Sequence, residues 1–221
     1  MKQAQKRGPM TTTPDGSPVT LYRLLPAAGE PEIIHAAIPP TAPVLELGSG
    51  PGRITHRLLA LDHPVVAVDE SPEMLAHIHG AETLCARIDD LDLTRRFPVV
   101  LLASHLINGP NRRSLLTAAR RHLAPDGQLL VEWHPPAWFD QVTENTTGRL
   151  GDIAVTLEDL HREGDHLSAT VRYTRGEQTW THPFTATRFP LEPALGEAGL
   201  VFTRWLTADR DWFSTRSPHV G

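Results

Sequence analysis

The sequence predicts an α/β protein built on a Rossmann-like, doubly wound seven-stranded sheet, with a C-terminal antiparallel hairpin and a small antiparallel β insertion after strand five. Three observations predict it. Short apolar runs alternate with stretches of helical spacing across residues 44–133, as expected of parallel strands covered on both faces. The first run breaks into Gly48-Ser49-Gly50-Pro51-Gly52, a tight strand-to-helix turn. From Gly151 the period changes to two, with Gly164-Asp165 and Arg175-Gly176 at the breaks, the pattern of antiparallel strands joined by short turns.

A chain of 221 residues suits one well-buried domain, expected over residues 19–221, with residues 150–185 as an antiparallel substrate cap. Residues 1–18, rich in Lys, Gln, Thr, Pro and Gly without apolar periodicity, are expected to be a disordered leader. No apolar run approaches the roughly 18 residues of a membrane span, so a cytoplasmic protein without a membrane partner is expected. The formal charge of −5 gives no footing on a phosphate backbone, which argues against nucleic acid as partner. The lone Cys85 excludes an internal disulfide and reads as a small buried hydrophobe in a strand. The twelve histidines are scattered without metal-ligand spacing, so no metal is expected. A monomer or homodimer is expected.

Before the first strand, residues 21–25 read as a short helix or turn, and residues 32–38 as an amphipathic helix stopped by Pro39-Pro40. The strand itself is Val44-Leu45-Glu46-Leu47. A dinucleotide fingerprint needs a third glycine at position 53, where this chain has Arg53. Instead the glycines alternate, and Glu46 stands two residues before the first, a carboxylate suited to a ligand carrying an ammonium group. The next buried-type strand, Val65-Val66-Ala67-Val68, ends in Asp69-Glu70, where a carboxylate can accept both hydroxyls of a ribose.

With both stretches in order, the sequence resembles the class I S-adenosylmethionine-dependent methyltransferases of the small-molecule type, over residues 21–206. The resemblance implies S-adenosylmethionine as cofactor. It places Glu46, Gly48, Ser49, Gly50 and Arg53 in the cofactor site with the first motif, and Asp69, Glu70 and Met74 with the second. Met74 either contacts the adenine or packs. The segment before the first strand folds over the cofactor in this family, which makes Tyr22 a lid candidate or an ordinary packing residue.

After the turn, residues 54–61 have helical spacing. Ser71-Pro72-Glu73-Met74 is a helix start, with Ser71 as N-cap and proline in the first turn. The third strand is residues 82–86. Relatives place an acid for the adenine amino group directly after it, but Arg87 stands there. Ile88 is then expected to cover the ring, and Asp89 to take the amino group one residue late.

Phe97-Pro98-Val99-Val100-Leu101-Leu102-Ala103 is the fourth strand, apolar enough to be buried on both faces. Ser104-His105-Leu106-Ile107-Asn108 follows at the carboxyl edge, where open α/β sheets bind ligands. Ser104 is a further cofactor candidate, and His105 either faces the reactive methyl or is satisfied by backbone. Residues 112–123 form an amphipathic helix closed by Ala124-Pro125-Asp126-Gly127, which resembles the family's link into a fifth strand, here 128–133. His134, next along, is the second catalytic candidate. Trp133, Trp138, Phe139, Trp180 and Trp212 either line the pocket or belong to the core. Residues 191–199 are the last helix, and 201–206 with 212–215 the closing hairpin.

The function so implied is methyl transfer to a nitrogen, oxygen or carboxylate of a small molecule by in-line displacement, with His105 or His134 as base where one is needed. The alternatives are an NAD-dependent oxidoreductase and a non-catalytic cofactor-binding module.

Overall fold

The computed structural model describes Thr13, Gly16 and residues 18–218. Apart from Thr13, Gly16 and Pro18, the expected leader lies outside the described residues. The elements before the main sheet are α1 (Val19–Tyr22) and α2 (Glu30–Ala37). They are followed by β1 (Val44–Leu47), α3 (Thr55–Ala60), β2 (Val65–Asp69), α4 (Pro72–Leu75), β3 (Glu82–Cys85) and β4 (Phe97–Leu102). A single 3-10 turn, Leu106–Asn108, leads to α5 (Arg112–Arg121), β5 (Leu123–Glu132) and α6 (Pro136–Gln141). Four strands come next: β6 (Thr147–Leu150), β7 (Ile153–Glu163), β8 (His166–Arg175) and β9 (Gln178–Thr187). The chain ends in α7 (Leu191–Glu197), β10 (Val201–Trp205) and β11 (Trp212–Arg216).

Seven strands form one sheet in the order β3-β2-β1-β4-β5-β11-β10, parallel except that β11 runs antiparallel to both β5 and β10. The order reverses between β1 and β4, which pair Val44 with Val99 and Leu47 with Leu102. Ligand crevices of open α/β sheets lie at the carboxyl ends beside such a switch. Alternation along the strands divides the core into two layers. Leu45, Leu47, Val68, Val100, Leu102 and Val131 pack against Leu116 of α5 and Leu195 of α7. On the opposite face Val44, Ala67, Val99 and Leu101 pack against Ile34 of α2 and Leu58 of α3. The sheet is therefore doubly wound, as the sequence predicts.

Three differences from expectation bear on the architecture. Strand β5 starts at Leu123, because Leu123 pairs with Phe97 before the chain loops out and rejoins β4 at Gln128 opposite Val99. Gly127 fits that loop because a Cβ there would lie 2.9 Å from the Phe97 carbonyl oxygen. Cys85 is exposed, not buried, since β3 is an edge strand with a neighbour only on the β2 side. The insertion spans four strands between 147 and 187, a little longer at each end than expected.

The insertion is an antiparallel meander, with Tyr173 opposite Trp180 and Leu167 opposite Ala186. Its β7–β8 and β8–β9 loops each begin with a glycine at positive φ, Gly164 and Gly176, which two-residue hairpin turns favour. At one end its apolar residues pack on Leu21, Tyr22 and Leu25. At the other end they pack on Trp138, Phe139 and Val142 around α6. The insertion is thus tied to α1 and to α6 at its two ends. No helix among the described residues is long and apolar enough to cross a membrane.

Candidate active site

The turn after β1 is fixed by backbone bonds to β2: Gly48 and Ser49 N–H both donate to the Val68 carbonyl, at 2.8 and 2.9 Å. Gly48 has φ 76°, a conformation that favours glycine, and a Cβ there would come within 2.7 Å of the Leu106 side-chain tip, which would have to shift. Gly50 has φ 55° and faces open space, for a Cβ there would meet nothing within 4 Å. Its N–H donates to Asp69 Oδ2 at 2.8 Å. The second oxygen of Asp69 accepts the Ser71 N–H at 3.0 Å, just before Ser71 caps α4 by accepting the Met74 N–H at 3.2 Å. The two predicted motifs are one hydrogen-bonded unit, with a carboxylate at its mouth.

Below the turn, Glu46 is only 3 % exposed, and its Oε2 accepts the Thr55 hydroxyl at 2.6 Å. Burial pushes its carboxyl up to about 7, against the Thr55 hydrogen bond and the Arg53 charge and with help from Asp69. A buried acid poised at neutrality beside a glycine turn is ready to ionise for a cation. Ser49 Oγ in the same turn is buried and has no hydrogen-bond partner among the described residues.

Met74 is buried, while the Ile88 and Leu106 side chains both approach Gly48, where a Cβ would meet them at 3.8 and 2.7 Å. Arg87, the departure from the family pattern, is held in a cluster of acids. Its guanidinium lies 3.3 Å from Glu70, 3.4 Å from Asp89 and 3.7 Å from Asp90. The cation thereby ties the two candidate acids, Glu70 and Asp89, to one another on an exposed rim.

Arg53 pairs with Glu30 of α2, and its other nitrogen reaches Ser104 Oγ at 3.4 Å. Burial alone would raise the Glu30 carboxyl, but the Arg53 guanidinium, with the backbone N–H groups of Glu30 and Ala28, outweighs it and the group ends below its ordinary value. Arg53 therefore fastens the N-terminal segment across the turn to the end of β4. Tyr22 packs with that segment against Trp180 and Tyr173. Burial, and then Tyr22, raise the Tyr173 hydroxyl, with the Arg53 charge opposing them.

At the end of β4, Ser104 and His105 both adopt left-handed φ, 56° and 55°. Each such residue costs about 1 to 3 kcal/mol and persists only where its surroundings impose it. Glu132, the last residue of β5, supplies the constraint: its Oε2 accepts the Ser104 N–H at 2.6 Å and its Oε1 lies 3.6 Å from His105 Nε2. The His105 ring stacks on His134 with centroids 3.7 Å apart, and His134 stacks in turn on Trp138 at 3.8 Å. Burial and then His105 push the His134 imidazole down to about 2. Asn108, 1 % exposed, secures the backbone around this stack. Its Oδ1 accepts the His134 N–H at 2.7 Å, and its Nδ2 donates to the carbonyls of His134 at 3.3 Å and Thr187 at 3.2 Å.

Of the aromatic candidates, only Trp138 joins this stack at its face, while Phe139 packs edge-on to His134 and Trp138. Trp133 and Trp212 are core residues, and the Trp133 indole donates to the Arg210 carbonyl. Trp180 packs in the cap against Leu21. Glu30, Glu132 and Asn108 were not foreseen as site residues, because each acts through a partner distant in sequence. Among the described residues no cluster of three His, Cys, Asp or Glu side chains is placed to hold a metal ion.

Residues 44–127 match the sequence profile of a methyltransferase domain family. An uncharacterised methyltransferase of Mycobacterium tuberculosis is 28% identical over 175 residues, 77% of this chain and 65% of that protein. The match thus spans just under two thirds of that relative's length. The CcbJ methyltransferase of Streptomyces caelestis superposes with a TM-score of 0.72 at 22% identity, over 91% of this chain and 96% of its own. The sugar N-methyltransferase KedS8 of a Streptoalloteichus species does so with a TM-score of 0.68 at 18% identity, over 99% and 98% of the two chains. Residues 44–127 thus resemble a methyltransferase domain, and the chain as a whole shares its fold with solved methyltransferases.

Proposed function

We propose that this chain is an S-adenosylmethionine-dependent methyltransferase that methylates a nitrogen, oxygen or carboxylate of a small molecule by in-line displacement. The observation that favours it most is the bond between Gly50 N–H and Asp69, which sets a carboxylate beside an open glycine turn with the buried acid Glu46 beneath. The residues fit the cofactor: Asp69 suits its ribose hydroxyls, Glu46 its ammonium, and the orphaned Ser49 Oγ a further polar group. Ile88 and Leu106 suit the faces of the adenine, with Met74 behind and Glu70 and Asp89 at the rim. Tyr22 and Arg53 close the N-terminal segment over it.

S-Adenosylmethionine supplies a methyl group on a sulfonium that is itself the leaving group, so no covalent intermediate with the protein is required. This chain's part is to align the acceptor, exclude water and accept a proton where the acceptor gives one up. The cap, with α1 and α6 at its two ends, serves the first two tasks. His105 at the strained end of β4 serves the third. His134, the other candidate base, is held neutral between two rings and acts as a platform. A small acceptor agrees with the formal charge of −5 and with the sugar N-methyltransferase among the similar structures.

Titration calorimetry with S-adenosylhomocysteine, and separately with NAD, tests the reading. Saturable binding of the first and none of the second is expected. Absence of S-adenosylhomocysteine binding at millimolar concentration refutes it.

A further inference from the structure

We infer that Glu132 is a positioning residue that orients His105 as the base of the reaction, and that the acceptor is therefore an amine or a hydroxyl, not a carboxylate. The inference rests on the methyltransferase reading above and narrows it.

The geometry points to Glu132 in three ways. It is buried at the carboxyl end of β5, one strand away from His105, and its two oxygens are divided between them. One oxygen takes the Ser104 N–H at 2.6 Å, which holds two consecutive non-glycine residues in the left-handed region. The other faces His105 Nε2 at 3.6 Å, longer than a hydrogen bond, though such contacts commonly shorten when a substrate seats. An ionised carboxylate is only an acceptor, so the ring nitrogen that faces it is the one that carries hydrogen.

With the proton on Nε2, the lone pair lies on His105 Nδ1. That atom is buried and has no hydrogen-bond partner among the described residues. A buried acceptor left without a donor is unfavourable unless something else completes it. The N–H or O–H of a methyl acceptor is that missing donor. As the acceptor's nitrogen or oxygen bonds to the methyl group, the methyl–sulfur bond breaks and the sulfur departs as a neutral thioether. The acceptor's proton passes to Nδ1, and the imidazolium so formed is stabilised by the Glu132 carboxylate. The proton then leaves to solvent. His134 does not compete for it, since its ring is stacked between His105 and Trp138. A carboxylate acceptor carries no proton to remove, and such an arrangement would do nothing for it.

The test is the tautomer of His105, read by two-bond 15N–1H correlations of the full-length protein above neutral pH, alone and with S-adenosylhomocysteine. The signal is assigned by its loss in His105→Gln. The expected result is an Nε2–H tautomer in the wild type and the appearance of Nδ1–H in Glu132→Gln, whose amide can turn a donor toward the ring. A wild-type Nδ1–H tautomer overturns the proposal, as does a Glu132→Gln spectrum identical to wild type. The acceptor class has its own readout, methyl-tritiated S-adenosylmethionine incubated with a metabolite extract. Label stable to mild alkali is expected, whereas label released as methanol reveals a methyl ester and overturns the amine-or-hydroxyl assignment. Calorimetry with S-adenosylhomocysteine separates these outcomes from failure of the methyltransferase reading itself.

Discussion

The Asp69 carboxylate accepts the Gly50 N–H at 2.8 Å, so the acid at the end of β2 is anchored to the turn that follows β1. The same side chain sets the ligand site and shapes the loop beside it. If it also accepts ribose hydroxyls, each charge-assisted bond is worth about 1.5 to 3 kcal/mol. Asp69→Ala is therefore expected to weaken S-adenosylhomocysteine binding by about 10- to 100-fold or more, with each 1.4 kcal/mol equal to a factor of ten. Asp69→Asn, which keeps an oxygen for Gly50, should lose less. Calorimetry checks both, and wild-type affinity in a folded Asp69→Ala protein would remove Asp69 from the site.

Glu46 links cofactor binding to pH. Its carboxyl is raised to about 7, chiefly by burial, so at pH near 6 the free protein holds a proton there, and a ligand ammonium would favour the ionised form. Binding of S-adenosylhomocysteine at about pH 6 should then release up to one proton, and close to none at about pH 8, where Glu46 is already ionised. The number of protons follows from binding heats measured in buffers of different ionisation enthalpy. Glu46→Gln should abolish the release and weaken binding by about 10- to 100-fold. An unchanged release in that variant would place the titrating group elsewhere.

The stacked His134 makes a separate prediction for stability. Its folded-state value is about 2, below the ordinary 6.5, so between these values the unfolded chain binds a proton that the folded protein refuses. Stability is therefore lost as pH falls below the unfolded value, by at most about 1.4 kcal/mol per pH unit. Glu46 works in the opposite direction, since its raised value means that the folded protein gains relative stability from pH 7 down toward 4.5. The His134 contribution is isolated by difference. Between about pH 6.5 and pH 5 the wild type should lose about 1.6 kcal/mol relative to His134→Gln in urea unfolding. Parallel pH dependences would show that the ring takes up its proton normally.

Much of this arrangement was legible in the sequence because the governing rules are local. Alternating apolar runs announced the sheet, the glycines at 48, 50 and 52 announced the turn, and Ser71-Pro72 announced the start of α4, where the expected cap bond is present. The misses share a different cause. Cys85 read as buried because an apolar neighbourhood does not say which strand ends up at a sheet edge. Glu132 was read only as part of the strand 128–133, yet its partners lie just past the end of the neighbouring strand β4, 28 residues earlier in the case of Ser104. Glu30 lay just outside the helix expected over residues 32–38, while Arg53 was weighed mainly as a missing glycine. Pairings between elements distant in sequence are set by tertiary packing, which periodicity does not encode.

The Arg53–Glu30 pair is the clearest place to measure that nonlocal energy. Both side chains are largely removed from water, 18% and 11% exposed, so deleting one leaves the other as an uncompensated charge. A fully buried pair loses about 3 to 5 kcal/mol on such a deletion, and the residual exposure here argues for the lower end, about 3 kcal/mol. In a domain of this size that is a fall of roughly 6 to 12 °C in melting temperature for Arg53→Met. Glu30→Leu should be costly for the same reason. The double substitution removes both charges at once and should recover about 1 to 3 kcal/mol relative to the sum of the singles. Strict additivity in thermal or urea unfolding would mean that the two side chains do not act as a pair. A large coupling would show that the segment carrying α2 is latched to the glycine turn by this ion pair.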